Sequence, residues 1–194
     1  MNEKPNFNTY DDMPEIPYLI LSYLMENNEN LFKLLKYSDK NALFNENIPL
    51  SEKRNMVYLD EGKEDDFHLF LKPLVGDELT EEVCQLRLYK IAIQPNDAIF
   101  SVLNYQFDVI CGNKMSLVYN EKGIPCSRID LIEKELLKIL NGADLTGYGY
   151  MQFSRNLSRN CNERMSISNS KTFFGSSLVL GVGYTSLREG ADCE

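Results

Sequence analysis

The chain has 194 residues, a hydrophobic fraction of 43% and a formal net charge of −9 at neutral pH. This length suits one domain, or one domain with a helical extension, and the apolar fraction is sufficient for a packed core. The acidity argues against a protein that binds nucleic acid by neutralising phosphates.

Charge is distributed unevenly along the chain. Residues 1–82 hold 18 acidic against 8 basic side chains, whereas residues 83–194 hold 11 against 12. This asymmetry predicts two surfaces for two different partners, although a solvated acidic face explains it equally well. The five scattered cysteines form no CxxC pair, and the polar N-terminus does not look like a signal peptide. These features predict reduced thiols in a cytosolic compartment and no membrane span.

The N-terminal third has the apolar spacing of helices. Residues 1–14 are expected to be disordered or loosely attached. Helical spacing from about residue 17 to 37 is interrupted at 27–30, which predicts two short helices rather than one. A third short helix is expected after Pro49, with Ser51 as its N-cap.

The rest of the chain is predicted to form strands around one amphipathic helix. Strands are expected over about 67–71, 83–93, 98–111, 148–156 and 173–184. The helix is expected over 127–141, with Ser127 and Asp130 as a weak capping box and Gly142 in the stop signal. This order predicts an α+β fold, in which an antiparallel or mixed sheet is packed by one amphipathic helix. We divide the chain into an N-terminal helical extension, 1–60, and an α+β domain, 61–194.

Candidate catalytic groups are few. His68 is the only histidine and is interpreted as a strand-surface or hydrogen-bonded core residue, because a lone histidine cannot build a multi-histidine metal site. The acidic pairs 65–66, 77–78 and 81–82 lack calcium-loop spacing and are interpreted as solvated charge. The chain is therefore predicted not to be an enzyme, with no catalytic residues, cofactor or metal.

The glycine pairs do not have the sequence context of a phosphate-binding loop. Gly147 and Gly149 follow a helix and enter a strand, which is the reverse of the strand–loop–helix order. Gly181 and Gly183 lie within a predicted strand. Both pairs are interpreted as bulges or close backbone approaches in a sheet.

One segment is basic and is predicted to mediate an interaction. Its candidate residues are Arg155, Arg159, Arg164, Lys171, Phe173 and Phe174. Aromatic and basic side chains together are typical of segments that bind nucleic acid. We favour the interpretation that this segment is a polar loop in contact with an acidic neighbour. The neighbour could be the acidic N-terminal region of another copy.

Several segments together resemble a known family. Residues 125–137 (PCSRIDLIEKELL) begin the amphipathic helix, and a strand, a polar loop and the strand 172–180 (TFFGSSLVL) follow it. This order resembles the tail terminator and neck proteins of tailed bacteriophages. Arg128 with Asp130 looks like the charged start of that helix, and Phe174 with Gly175 looks like the step that begins the last strand. The run 18–43 is similar to a helical element that heads some neck proteins.

The resemblance implies a mechanical role. Such proteins form rings, commonly of six or twelve subunits, between the portal or connector and the tail, and DNA passes through the lumen without specific binding. It implies a place in the virion, in the host cytoplasm during assembly, and no membrane. Two alternatives stay open: an acidic regulatory protein that inhibits a host enzyme or mimics DNA, and an enzyme built from scattered carboxylates and tyrosines.

Overall fold

The computed structural model describes residues 13–73, 83–96, 100–145, 150–153, 165–166 and 173–185. Within these ranges the four α-helices are α1 (Ile16–Asn27), α2 (Glu29–Lys36), α3 (Leu50–Asn55) and α4 (Arg128–Leu140). The eight strands are β1 (Leu69–Phe70), β2 (Cys84–Pro95), β3 (Phe100–Gly112), β4 (Leu117–Tyr119), β5 (Pro125–Ser127), β6 (Gln152–Phe153), β7 (Met165–Ser166) and β8 (Phe173–Thr185). The predicted α+β class is confirmed.

The main sheet is mixed and is built around three long strands. The strand order is β1-β2-β3-β8-β6, and β7 also pairs with β8. β1 runs parallel to β2, whereas every other pairing in this sheet is antiparallel. β3 is the central strand, and it pairs with β2 along one edge and with β8 along the other. A register shift between Lys90 and Ala92 places a bulge at Ile91 of β2.

One face of the sheet is covered by helices. Leu86 and Leu88 of β2, Phe107 and Val109 of β3, and Leu178 and Leu180 of β8 alternate along their strands and are fully or almost fully buried. They share one core with apolar side chains from α1, α2 and α4. The predicted helix α4 therefore shares this core with the N-terminal helices. The boundary at residue 60 stays a prediction.

The two N-terminal helices are separate, as the sequence predicts. Pro17 occupies the first turn of α1, where its missing N–H costs no hydrogen bond. Asn28 stands between α1 and α2 in an extended conformation, and its side-chain oxygen accepts the N–H of Leu31 at 3.0 Å. This is an N-cap, so the polar run that interrupts the apolar spacing also starts the second helix.

Two local predictions are wrong, and one element was not foreseen. Ser51 does not cap α3, because the N-cap is Pro49, whose carbonyl accepts the N–H groups of Glu52 and Lys53. The described residues 13 and 14, which were expected to be disordered or loosely attached, belong to a 3-10 turn, Met13–Glu15. The antiparallel hairpin of β4 and β5, which leads directly into α4, was not predicted.

Candidate functional site

Only part of the predicted basic segment falls within the described residues. Arg155, Arg159, Arg164 and Lys171 lie outside them. Phe173 is 6% exposed and packs with Val83 and Ile110, so it belongs to a small apolar cluster. Phe174 is partly buried and packs on the main core. The interaction assigned to the four basic residues stays a prediction.

The stretch between the last two predicted strands contains a strand of its own. Met165 pairs with Gly175 and Ser166 pairs with Phe174, so β7 lies antiparallel to the start of β8. The sequence predicts a polar loop for this stretch. Its apolar residue at Met165 is flanked by polar residues, which gives too short a pattern to predict a strand.

The single histidine is hydrogen bonded and partly buried, as expected. Its Nδ1–H donates to the carbonyl oxygen of Cys84 at 2.9 Å. Burial lowers the pKa of His68 below its ordinary value, although the hydrogen bond to Cys84 opposes this effect. The ring therefore ties the chain before β1 to the start of β2.

The acidic pairs do not form a recognisable metal site in the described ranges. Asp66 is exposed, and the side chain of Asp65 and residues 77–82 lie outside the description. Across the described part of the chain, no group of three or more histidine, cysteine or carboxylate side chains is placed to hold a metal ion.

A buried carboxylate organises the sheet face opposite the helices. Asp108 of β3 is 8% exposed. It accepts a hydrogen bond from the Tyr89 hydroxyl at 2.6 Å, one from Gln106 Nε2 at 2.7 Å and one from the Ser177 hydroxyl. Burial and the hydrogen bond to Asp108 raise the pKa of Tyr89 well above its ordinary value, so this phenol acts as a donor. The network joins β2, β3 and β8 and was not visible in the sequence.

Beside it, a fully buried arginine joins β2 to the preceding loop. Arg87 lies opposite Asp108 in the register. Its Nη2 lies 2.7 Å from Glu64 Oε2, and its guanidinium stacks 4.0 Å from the centre of the Phe70 ring. Burial alone would raise the pKa of Glu64, but hydrogen bonds from Arg87 and Lys72 hold it below its ordinary value. The cluster fastens the short edge strand β1.

A second buried arginine joins three separate elements. Arg128, the first residue of α4, is 0% exposed. Its guanidinium donates at 2.6–3.3 Å to five backbone carbonyl oxygens, those of Leu34, Tyr37, Ser38, Asp39 and Met115. Arg128 and Asp130 do stand in the first turn of α4, as expected, but the arginine charge is buried and satisfies carbonyls at and beyond the end of α2.

Among the described side chains of the main sheet, two large apolar residues near the outer edge of β2 are well exposed. β1 pairs only with Leu86 and Arg87. In the described residues, β2 from Leu88 to Pro95 pairs with β3 alone. Ile91 and Ile93 on this stretch are 37% and 42% exposed. We call Leu88–Pro95 the open edge. Such an edge presents unpaired N–H and C=O groups to another chain.

A cleft of about 270 Å³ lies between the ends of α2 and α4 and the β4–β5 hairpin. Leu34, Leu43, Ile124 and Leu131 supply its apolar wall, and two lysines and two glutamates line it as well. This mixture of signs selects no ligand class.

Comparison with known proteins identifies the family to which this α+β fold belongs. A family model described as YomW matches residues 28–182, and the chain therefore belongs to the YomW family. The match begins at the cap of α2 and ends within β8, so it includes the sheet and α4. A comparison with curated proteins finds no match. Each helix in the described ranges is too short or too polar to span a bilayer.

Proposed function

We propose that the chain is a structural subunit of the neck of a tailed-phage virion, a tail terminator or head–tail joining protein that assembles into a ring. The open edge of β2 carries the assembly part of this proposal. It offers backbone hydrogen bonds over Leu88–Pro95, together with two exposed isoleucines. Pairing of this edge with another surface of the next copy is a heterologous contact, and such contacts form a ring when the rotation between successive copies closes.

The neck assignment rests on the resemblance of residues 18–43 and 125–180 to neck and tail-terminator proteins. The buried polar groups have structural roles, and this is compatible with a mechanical function of the protein. In the described residues, His68, Arg87, Asp108 and Arg128 each hold elements of the fold together.

The charge distribution supports a lumen through which DNA slides. The described N-terminal region exposes carboxylates at Glu26, Asp39, Glu46 and Asp60. If this surface lines the ring, it repels phosphate, so DNA passes without specific binding. The portal or connector and the tail are the proposed partners, and the virion is the proposed location.

The test is the assembly state of the full chain, alone and mixed with a purified portal protein. Size-exclusion chromatography with light scattering and negative-stain imaging should show a closed ring of six or twelve subunits. Ile91→Glu with Ile93→Glu should reduce ring formation at least tenfold, because charges would have to be buried at the contact. Ile124→Glu is the matched control, since Ile124 is 53% exposed in the turn between β4 and β5.

Different outcomes overturn different parts of the proposal. A chain that stays monomeric at high concentration and in the presence of portal contradicts the ring. It would favour the acidic regulatory protein instead. Rings that form equally well with the Ile91 and Ile93 variants would leave the ring standing and remove the open edge from its interface.

A further inference from the structure

Two cysteines face each other across the central strands of the sheet. Cys84 is the first residue of β2, and Cys111 is the next-to-last residue of β3. The antiparallel register pairs them directly. Both side chains are thiols in the structure and both are 0% exposed. The pair therefore lies at the end of the β2–β3 ladder, on the face that is covered by the helices.

The hydrogen-bond pattern of the ladder places the two side chains close together. The N–H of Gly112 donates to the carbonyl of Val83 at 2.9 Å. Hydrogen-bonded and non-hydrogen-bonded residue pairs alternate along an antiparallel ladder. Because Val83 and Gly112 are hydrogen bonded, the next pair, Cys84 and Cys111, is of the non-hydrogen-bonded type. Such pairs have Cα atoms about 4.5 Å apart. This spacing falls within the range that a disulfide spans, about 4.4–6.8 Å.

The surroundings keep both sulfurs in place in the reduced protein. The two thiols hydrogen bond to each other, and this contact, together with burial, raises the pKa of Cys84 well above its ordinary value. The thiol of Cys111 also lies 3.5 Å from the carbonyl oxygen of Gly112. Cys126, in contrast, is partly exposed on β5. In the described residues, the hydrogen bond from the Gly112 N–H to the Val83 carbonyl lies just beyond the pair, so local opening of this end of the ladder is the route by which a small oxidant would reach the sulfurs.

We propose that Cys84 and Cys111 are an oxidation site that forms a cross-strand disulfide and locks β2 to β3. With hydrogen peroxide as the oxidant, one thiolate attacks the O–O bond and becomes a sulfenic acid, with release of hydroxide. The second thiol then displaces water from that sulfenic acid and forms the S–S bond. In total, the pair loses two electrons and two protons, and peroxide becomes two molecules of water. The inference does not depend on the ring.

The disulfide closes a loop that contains the whole β2–β3 hairpin. A cross-link of this kind stabilises chiefly by restricting the unfolded chain. The oxidised protein should therefore unfold at a higher temperature than the reduced protein, without a change in the open edge or in the helical face. The register already brings the cysteines together, so little backbone movement is needed.

The experiment uses the folded full-length chain and hydrogen peroxide. After exposure, remaining thiols are alkylated in denaturant, and the protein is digested without reductant for mass spectrometry. The expected product is a peptide pair that joins Cys84 to Cys111 and is lighter by two hydrogens than the separate peptides. The rise in Tm on oxidation should disappear in Cys111→Ser. It should persist in Cys126→Ser, which is the matched control.

Three results would overturn the site. The first is a disulfide that joins Cys84 or Cys111 to another cysteine. The second is the expected link appearing only when the protein is unfolded before oxidation. The third is oxidation of Cys126 under conditions in which Cys84 and Cys111 remain thiols or proceed to sulfinic acids. Mapping on the wild-type chain distinguishes these results even if the serine variant folds poorly.

Discussion

At the scale of single residues, Arg128 connects parts of the chain that are up to 94 residues apart. Its guanidinium is buried and donates to carbonyls at and beyond the end of α2, and to Met115 before the β4–β5 hairpin. The carbonyls at the end of α2 have no further helical turn to supply N–H donors to them. The planar fork of arginine offers five N–H donors spread over three nitrogens, whereas the ammonium of lysine offers three donors on a single nitrogen.

We therefore expect Arg128→Lys to lower the free energy of unfolding by about 3 kcal/mol, because buried carbonyl oxygens lose their donors. Urea unfolding followed by circular dichroism measures this change. Arg54→Lys is the control, since Arg54 is exposed in α3, and it should change the free energy by less than about 0.5 kcal/mol. Equal effects of the two substitutions would show that the buried contacts contribute little.

At the scale of elements, Asn28 couples two helices that are far apart in sequence. Its side-chain oxygen caps α2, and its Nδ2 donates to the carbonyl of Glu135 in α4 at 2.9 Å. The residue is 3% exposed. One amide thus sets both the start of α2 and its position against α4.

Replacement of Asn28 separates these two roles. Asn28→Ala should cost about 2 kcal/mol, because it removes the cap and the bond to α4. Asn28→Ser should cost about half as much, since serine restores the cap only. The exposed neighbour serves as control: Asn27→Ala should be nearly neutral. The three free energies of unfolding come from the same urea titrations, and a serine variant as unstable as the alanine variant would contradict the capping role.

The sequence predicted those elements whose apolar pattern is long or whose ends carry capping residues. The 13 residues of α4 show helical spacing behind a capping serine, and Ser127 does accept the N–H of Asp130. The long strands β3 and β8 were also predicted. The β4–β5 hairpin was missed because each of its strands has three residues, too few to show alternation.

The close approach at Gly181 was predicted from its position within a strand and is confirmed. A Cβ atom there would lie 2.8 Å from Cγ1 of Val102. In contrast, the burial of Arg128, the Asp108 network and the facing cysteines depend on contacts between residues far apart in sequence. Composition and spacing carry no signal for such contacts, so the sequence could not predict them.

At the scale of the whole molecule, the helices and the sheet share one apolar core. Leu31, Leu34 and Leu35 of α2 lie in the same cluster as Leu136 of α4 and Leu180 of β8. Removal of the helices would expose the buried face of the sheet, and removal of the sheet would expose the buried faces of the helices. The division at residue 60 thus describes a change in composition and secondary structure within a shared core.

We expect the full chain to unfold in a single cooperative transition. Circular dichroism follows mainly the helices, whereas tyrosine fluorescence follows side chains in both α1 and the sheet, since the chain contains 11 tyrosines and no tryptophan. Their midpoints should coincide within experimental error, as for other single cooperative units. A helical signal that is lost first, at clearly lower urea, would show that the N-terminal helices form a unit of their own.

The distance along the chain between Arg128 and its acceptors also affects the order of synthesis. Leu34 leaves the ribosome 94 residues before the arginine that donates to it. At about 5–20 residues per second, this interval lasts several seconds. During that time the end of α2 is without its buried donor and the leucines of α2 lack most of their partners. The acidic first third of the nascent chain therefore has to stay soluble by its own charge until α4 emerges.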